Sequence, residues 1–384
     1  MDMDTRQHTS THAPQVMPSM RSSHFSELGD DDSSGLSMGS AMGVEGREGK
    51  PPEERVHGPR PVGFEGDEGE RENEISHFSK LSAHWWDERG EFEFLHKMNP
   101  VRMSFVRQKL LEAARDDGVD SDPTHVLAGL DVLDVGCGGG LLSESLARLG
   151  ANTLGIDASE NNIGIARQHA STDPKLAPAS PNSRLIYQHT TAEALLEQPK
   201  RFDVVCSMEV LEHVDNPASF LSTCAELVRA CTLLRTLTSF PNDFVQPGGH
   251  LFLSTISRTP LAYFLTILMA EGVLRKVTSG THTYSKYIKP SELIQFFEDY
   301  RSPTPSTAGL SKDSSTLADH LKSSTRPWIT RRSDSYLPRT QAEVRGLIYN
   351  PVFGNWILAP KDAWGTLECN YIFWVRKPRD DETK

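Results

Sequence analysis

The sequence predicts an α/β fold: a mostly parallel seven-stranded sheet with an antiparallel edge and helices on both faces. Three observations lead there. Five short apolar runs are separated by helix-sized intervals, as parallel strands joined by crossover helices require. The first of them, Val132-Leu133-Asp134-Val135, ends in the glycine-dense turn Gly136-Cys137-Gly138-Gly139-Gly140 and leads at once into a helix-like segment. Two late runs, 344–349 and 371–375, have no helix between them and supply the antiparallel edge.

In chain order, residues 1–74 are rich in Ser, His, Met, Asp, Glu and Gly with almost no apolar period, and are expected to be disordered. They lack the apolar core of a secretory signal. Asp2, Asp4 and Asp30-Asp31-Asp32 also break the basic amphipathic character of a transit peptide. The folded body is expected from 75 to 378. It opens on a segment dense in aromatics and charges, in which Trp85, Trp86, Phe92, Phe94 and Leu95 form either a lid or hydrophobic wall, or part of a helix that packs on the sheet. Strands are expected at 131–135, 152–156, 184–188, 202–206 and 250–255, with helices at 141–149, 160–169, 217–228, 260–274 and 290–300. Pro217, Pro260 and Pro290 each suit a first helical turn, where the missing N–H costs nothing. Two stretches interrupt the alternation and read as inserts: 230–246, ahead of Pro247-Gly248-Gly249, and the polar 301–339.

Composition removes some functions. A formal charge of −12, a pI near 5.6 and the lack of a Lys/Arg stripe in the body argue against a nucleic-acid binder. The five cysteines are scattered, form no metal-ligand pairs, and read as small hydrophobes of a reducing compartment. The longest oily stretch, 261–270, is about half of what a bilayer span needs.

Four constellations carry chemistry. Gly136 and Gly138 let the backbone turn tightly against a ligand, and the helix that follows directs free N–H groups at the same space. Asp157 closes the next strand about twenty residues on, where its carboxylate can accept both hydroxyls of a ribose. This geometry also serves NAD or FAD, so the glycines do not identify the cofactor, although Gly-x-Gly-Gly-Gly fits the dinucleotide fingerprint poorly. Asp134, near the strand exit, can orient the loop or meet a cationic group. After the fourth strand, Glu209, Glu212 and His213 share a face if the stretch is helical or turn-like. They either hold a divalent cation or cap a helix on a solvated face. His213 equally suits a general base, since an imidazole titrates near neutrality. Arg102 can reach a carboxylate of an amphoteric cofactor. The segment 260–269 is apolar nearly all round, as a buried helix, a membrane-lying helix or a wall for a greasy substrate would be. His282, which follows it, is a second candidate base or substrate contact, or simply structural.

Taken together, AHWWDERGEFEFLHKMNPVR (83–102), VLDVGCGGGLLSESLARLGANTLGID (132–157), SMEVLEHVDNP (207–217), PGGHLFLSTISRTP (247–260), GTHTYSKYIKPSEL (280–293) and GLIYNPVFGNW (346–356) resemble the Rossmann-like class I S-adenosylmethionine-dependent methyltransferases. More narrowly, they resemble the ubiquinone-biosynthesis O-methyltransferases. The glycine motif alone marks the superfamily; the Trp-Trp-Asp segment with Asn-Pro-x-Arg and the later Met-Glu-x-Leu-Glu-His are more specific. The resemblance implies methyl transfer to a catechol-like ring of a polyprenylated dihydroxybenzoate or demethylubiquinol-type intermediate. It implies S-adenosylmethionine at Arg102, Gly136, Asp157 and Met208, joined by Asp134 and Gly138 of the same turn. It implies a divalent metal, Mg²⁺ foremost, on Glu209, Glu212 and His213, with His213 or His282 as the catalytic proton acceptor. It also implies peripheral association with the matrix side of the mitochondrial inner membrane, beside other quinone-biosynthesis proteins. The rival readings are a methyltransferase for another small phenol and a cofactor-binding scaffold without catalysis.

Overall fold

In the computed structural model the chain divides into two units, Met1–Val56 and His57–Lys384. The described residues all belong to the second: 76, 79–119, 121–178, 180, 183–230, 248–273, 283–303, 326–330, 337–361 and 363–378. The expected disorder of 1–74 therefore falls outside them, as do His282 and all but the first residue of the insert 230–246.

One sheet organises this unit. Its strands are β1 (Asp131–Val135), β2 (Asn152–Asp157), β3 (Leu185–His189), β4 (Val204–Met208), β5 (His250–Ile256), β6 (Ala342–Asn350), β7 (Asn355–Leu358) and β8 (Asn370–Arg376). The spatial order is β3-β2-β1-β4-β5-β8-β6-β7. The first five are parallel, and β8, β6 and β7 continue the sheet antiparallel. The expected class stands, with eight strands in place of seven. The addition is β7, a half-buried outer strand that returns from β6 after Gly354, whose φ of 65° makes the turn.

Period-2 alternation sends neighbouring strand residues to opposite faces, and each face has its own core. Leu133, Val205, Leu251, Leu253 and Phe373 pack with α5 (Pro217–Leu227) and α7 (Pro290–Asp299). Val132, Val204, Phe252, Ile372 and Trp374 pack with α1 (Glu93–Asp116) and α2 (Leu141–Arg148). On that second face β3 and α3 (Glu160–Ser171) enclose a smaller cluster around Ile163, Ala166 and Tyr187. A short α4 (Ala192–Leu196) follows β3. The segment 301–339 is irregular where described, yet it is anchored: Trp328 and Ile329 are buried in the core, and Trp328 Nε1 donates to Ser302 Oγ at 3.0 Å.

The oily helix differs most from expectation. Regular α6 ends after Pro260–Tyr263, and Phe264–Val273 continues as a π-helix. It is not a buried helix, since Leu261, Tyr263, Phe264, Leu265 and Leu268 are all exposed. Among the described residues no helix is long and apolar enough to cross a membrane.

The second face also sets a pH limit. His250 is buried on β5, accepts a hydrogen bond at Nδ1 from Trp374 Nε1 at 3.1 Å, and lies near Arg376 and Lys109. Burial first, then those two cations, push its pKa down to about 3. Its neutral form therefore stabilises the fold fully above the unfolded value of about 6.5, and that contribution is lost as pH falls. The expected result is a loss on the order of 1.4 kcal/mol per pH unit below about 6.5, seen as a falling melting temperature. His250→Asn should flatten that slope; an unchanged slope would contradict the assignment.

Candidate active site

The parallel strand order reverses between β1 and β4, and there the carboxyl ends of the strands open a crevice. A cavity of about 1040 Å³ fills it. Its walls include Gly136 and Gly138 from the turn after β1, Asp157 at the end of β2, and Met208, Glu209, Glu212 and His213 from the exit of β4. The sequence singled out all seven, and the fold brings them to one space.

The glycine turn is held from below. Gly136 and Cys137 both donate backbone N–H groups to Ile156 O, at 2.8 and 2.9 Å, and Gly138 N donates to Asp157 Oδ2 at 2.9 Å. At Gly138 the φ is +54°, and a Cβ would stand 2.3 Å from the Trp85 ring, so only glycine fits. Asp157 Oδ1 accepts from Ser159 N at 2.8 Å and from Asn162 Nδ2 at 3.2 Å. Burial raises the Asp157 pKa, and those N–H donors pull against it. Asp134 lies behind this wall, not in it: it is buried, accepts from Ser143 Oγ at 2.6 Å, and burial pushes its pKa up to about 6.

At the exit of β4 the backbone turns abruptly. Glu209 has φ +56°, the one positive φ outside glycine among the described residues, a conformation that costs on the order of 1–3 kcal/mol. Its N–H donates to Ser254 O at 2.8 Å. Its carboxylate is then engaged at both oxygens. Oε1 accepts from Ser254 Oγ at 2.7 Å and lies 3.0 Å from Arg102 Nη2, while Oε2 accepts from Asn370 Nδ2 at 3.4 Å. A 3₁₀ turn, Leu211–His213, follows. Glu212 is buried, and its Oε2 accepts from Thr255 Oγ1 at 2.6 Å. Burial, and next the charge of Glu209, hold Glu212 well above the ordinary carboxylate range.

Glu209, Glu212 and His213 share the cavity but do not converge: among the described residues no three His, Cys, Asp or Glu side chains come together to hold a metal. The physical reason is that Glu209 is drawn to the Arg102 guanidinium and to Ser254. Arg102, expected beside the cofactor, is buried behind Glu209 and absent from the cavity wall. Its Nε and Nη2 find no aligned hydrogen-bond acceptor.

Sequence reasoning missed Ser254 and Thr255, consecutive hydroxyls on β5 that serve one carboxylate each. The signal was present as two polar residues inside an otherwise apolar run. It also missed Asn162, which bonds Asp157 five residues before it and Trp85 far earlier in the chain.

The fold, with the family model and relatives that it matches, is that of an S-adenosylmethionine-dependent methyltransferase. The family model of the methyltransferase domain matches residues 94–300. The chain is 45% identical over 222 residues to the ubiquinone biosynthesis O-methyltransferase of Sinorhizobium fredii, covering 58% of this chain and 78% of that one. It is 37% identical over 307 residues to the mitochondrial ubiquinone biosynthesis O-methyltransferase of Schizosaccharomyces pombe (80% and 86% covered), and 34% identical over 308 residues to the Ruegeria pomeroyi enzyme (80% and 96%). The chain belongs to the ubiquinone biosynthesis O-methyltransferase family. Among solved structures it is similar to magnesium protoporphyrin IX methyltransferase from Synechocystis with bound S-adenosylhomocysteine, at 18% identity and a TM-score of 0.42, covering 80% of this chain and all of that one.

Proposed function

We propose that this chain moves the methyl group of S-adenosylmethionine to a catechol hydroxyl of a polyprenylated dihydroxybenzoate or demethylubiquinol-type ring in ubiquinone biosynthesis. One observation carries the reading beyond family membership. A single cavity joins the glycine turn and Asp157, the Glu209–Glu212 pair, and an apolar wall that includes Phe94, Leu261, Phe264, Leu265 and Trp356. The strand order sets the carboxylates between the other two parts. Ribose hydroxyls suit Asp157, the catechol suits the carboxylates, and the prenyl chain suits the apolar wall.

The residues fit the cofactor. Gly136 and Gly138 bring bare backbone to the cavity wall beside Asp157, whose carboxylate suits a ribose. Glu209, Glu212 and His213 are donors of the type a divalent cation takes, and holding one would require Glu209 to turn from Arg102 and Ser254. The repulsion of Glu209 on Glu212 is what a cation there would offset. When bound, such an ion would acidify a catechol and fix its two oxygens.

Transfer from a sulfonium is an in-line displacement, so the protein must hold the attacking oxygen about 3 Å from the methyl carbon. A phenol titrates near 10, and a proton acceptor is needed at neutral pH. Without a cation His213, on the cavity wall, is our choice for that proton; where His213 holds the cation, the acceptor is His282, outside the described residues.

The exposed Leu261, Tyr263, Phe264, Leu265 and Leu268, with Val352, Phe353 and Trp364 from the β6–β7 turn and the loop before β8, suit peripheral contact with a membrane that holds the prenylated substrate. The mitochondrial relative supports a mitochondrial location, and the inner membrane's matrix face beside other quinone-biosynthesis proteins is the finer proposal.

The test offers prenylated and unprenylated catechols to the full chain. We expect the prenylated substrate to show at least a tenfold lower KM. Equal values would remove the prenyl part of the reading. Chelation should lower turnover and Mg²⁺ should restore it; full turnover after chelation would remove the cation.

A further inference from the structure

Asn162, in the first turn of α3, is almost fully buried and stands between Asp157 and the aromatic segment that precedes α1. Its Nδ2 donates to Asp157 Oδ1 at 3.2 Å, and its Oδ1 accepts from Trp85 Nε1 at 3.0 Å. These partners fix the orientation of the amide. Turned over, it would set its oxygen against a carboxylate and its NH₂ against an indole N–H, which is repulsive on both sides.

Trp85 belongs to a strap, 79–92, laid over the glycine turn. Its ring packs directly on Gly138 and Gly139 and stacks on Phe92 with centroids 3.9 Å apart. The strap is tied down at two other points. Trp86 Nε1 donates to Gly139 O at 3.0 Å, and Ser79 Oγ lies 2.6 Å from Ser159 Oγ, whose own N–H donates to Asp157. Leu81, Trp85, Ser159 and Asn162 all reach the wall of the cavity beside Asp157.

We infer that Asn162 is a positioning residue that sets the Asp157 carboxylate for the cofactor's ribose and ties the closing of the Trp85 strap to it. This rests on the reading that Asp157 holds the ribose. The amide passes orientation in both directions. A ribose on Asp157 fixes the carboxylate, the carboxylate fixes the amide, and the amide oxygen presents a set acceptor to the indole. The strap then covers the turn only where the carboxylate is correctly placed.

The test titrates S-adenosylmethionine into the full chain by calorimetry and by tryptophan emission. The chain has six tryptophans, so Trp85→Phe identifies the part of the signal due to Trp85. Asn162→Leu keeps the volume and removes both hydrogen bonds. It should weaken binding about tenfold and abolish the cofactor-dependent change in Trp85 emission. Asn162→Asp keeps the shape and the acceptor for Trp85 but sets carboxylate against carboxylate, and should bind at least as weakly as Asn162→Leu. It keeps the proposal testable should the leucine variant fail to fold. In a double-mutant cycle, Trp85→Phe should cost about threefold in the natural background and nothing further beside Asn162→Leu. Unchanged affinity and emission in the Asn162 variants, with only a lower melting temperature, would overturn the inference and leave a purely structural residue. So would equal Trp85→Phe costs in both backgrounds. Asp157→Ala separates the two levels. Natural affinity in that variant would sink the cofactor pocket itself, whereas loss there with none in Asn162→Leu would sink only the role of Asn162.

Discussion

Glu212→Ala is expected to lower methyl transfer by about three orders of magnitude while S-adenosylmethionine affinity stays within about threefold of the natural chain. The carboxylate sits in the wall of the cavity, shares its surroundings with Glu209, and accepts from Thr255. On the proposed reading it acts on the catechol side of the site, whereas the cofactor depends on the turn after β1 and on Asp157. Alanine leaves Thr255 Oγ1 without its acceptor and opens a small void, so some stability is lost too. Glu212→Gln separates these effects. It keeps the volume and an oxygen for Thr255 but cannot carry a negative charge. Turnover as low in Gln as in Ala assigns the loss to the carboxylate; full turnover in Gln would reduce Glu212 to a packing role. Single-turnover kinetics with saturating cofactor is the measurement, because it reads the chemical step apart from product release.

Asp157→Ala is expected to weaken S-adenosylmethionine at least a hundredfold. Two hydrogen bonds from ribose hydroxyls to a buried carboxylate, at about 1.5–3 kcal/mol each, account for that loss. The substitution also leaves Gly138 N and Ser159 N without their acceptor, so the turn itself loosens. Asp157→Asn distinguishes the two contributions. It keeps one acceptor and the side-chain volume, and should recover part of the affinity. Unchanged binding in Asp157→Ala, read by calorimetry, would count against the assigned pocket.

Much of the sheet was legible because parallel strands buried on both faces must be written as apolar runs. β1, β2 and β5 lie within a residue or so of their expected bounds. β4 is displaced toward its carboxyl end. Phe202 makes only an isolated bridge to Val228, and Ser207 and Met208 extend the pairing with Leu253 and Ser254. Local pattern does not show where a neighbouring strand stops offering partners. β7 was missed because a four-residue half-buried strand has too few positions to show a period. The full extent of α1 was hidden by Pro100, which reads as a breaker yet sits inside the helix.

The site divides the same way. Gly136, Gly138, Asp157, Glu209 and Glu212 are marked by residue type next to a strand end, and all five reach the cavity. Arg102 against Glu209, the hydroxyl pair of Ser254 and Thr255 beneath the carboxylates, and Trp85 on Asn162 are long-range pairings. Nothing within a window of ten residues announces them.

O-methylation of a prenylated catechol can be followed by its label. The full chain is given S-adenosylmethionine labelled in its methyl group together with a prenylated catechol and Mg²⁺, and the products are identified by mass and position. The expected result is label on a ring oxygen, matched one for one by released S-adenosylhomocysteine. Tight cofactor binding with no label on any catechol, or label on a ring carbon, would contradict it.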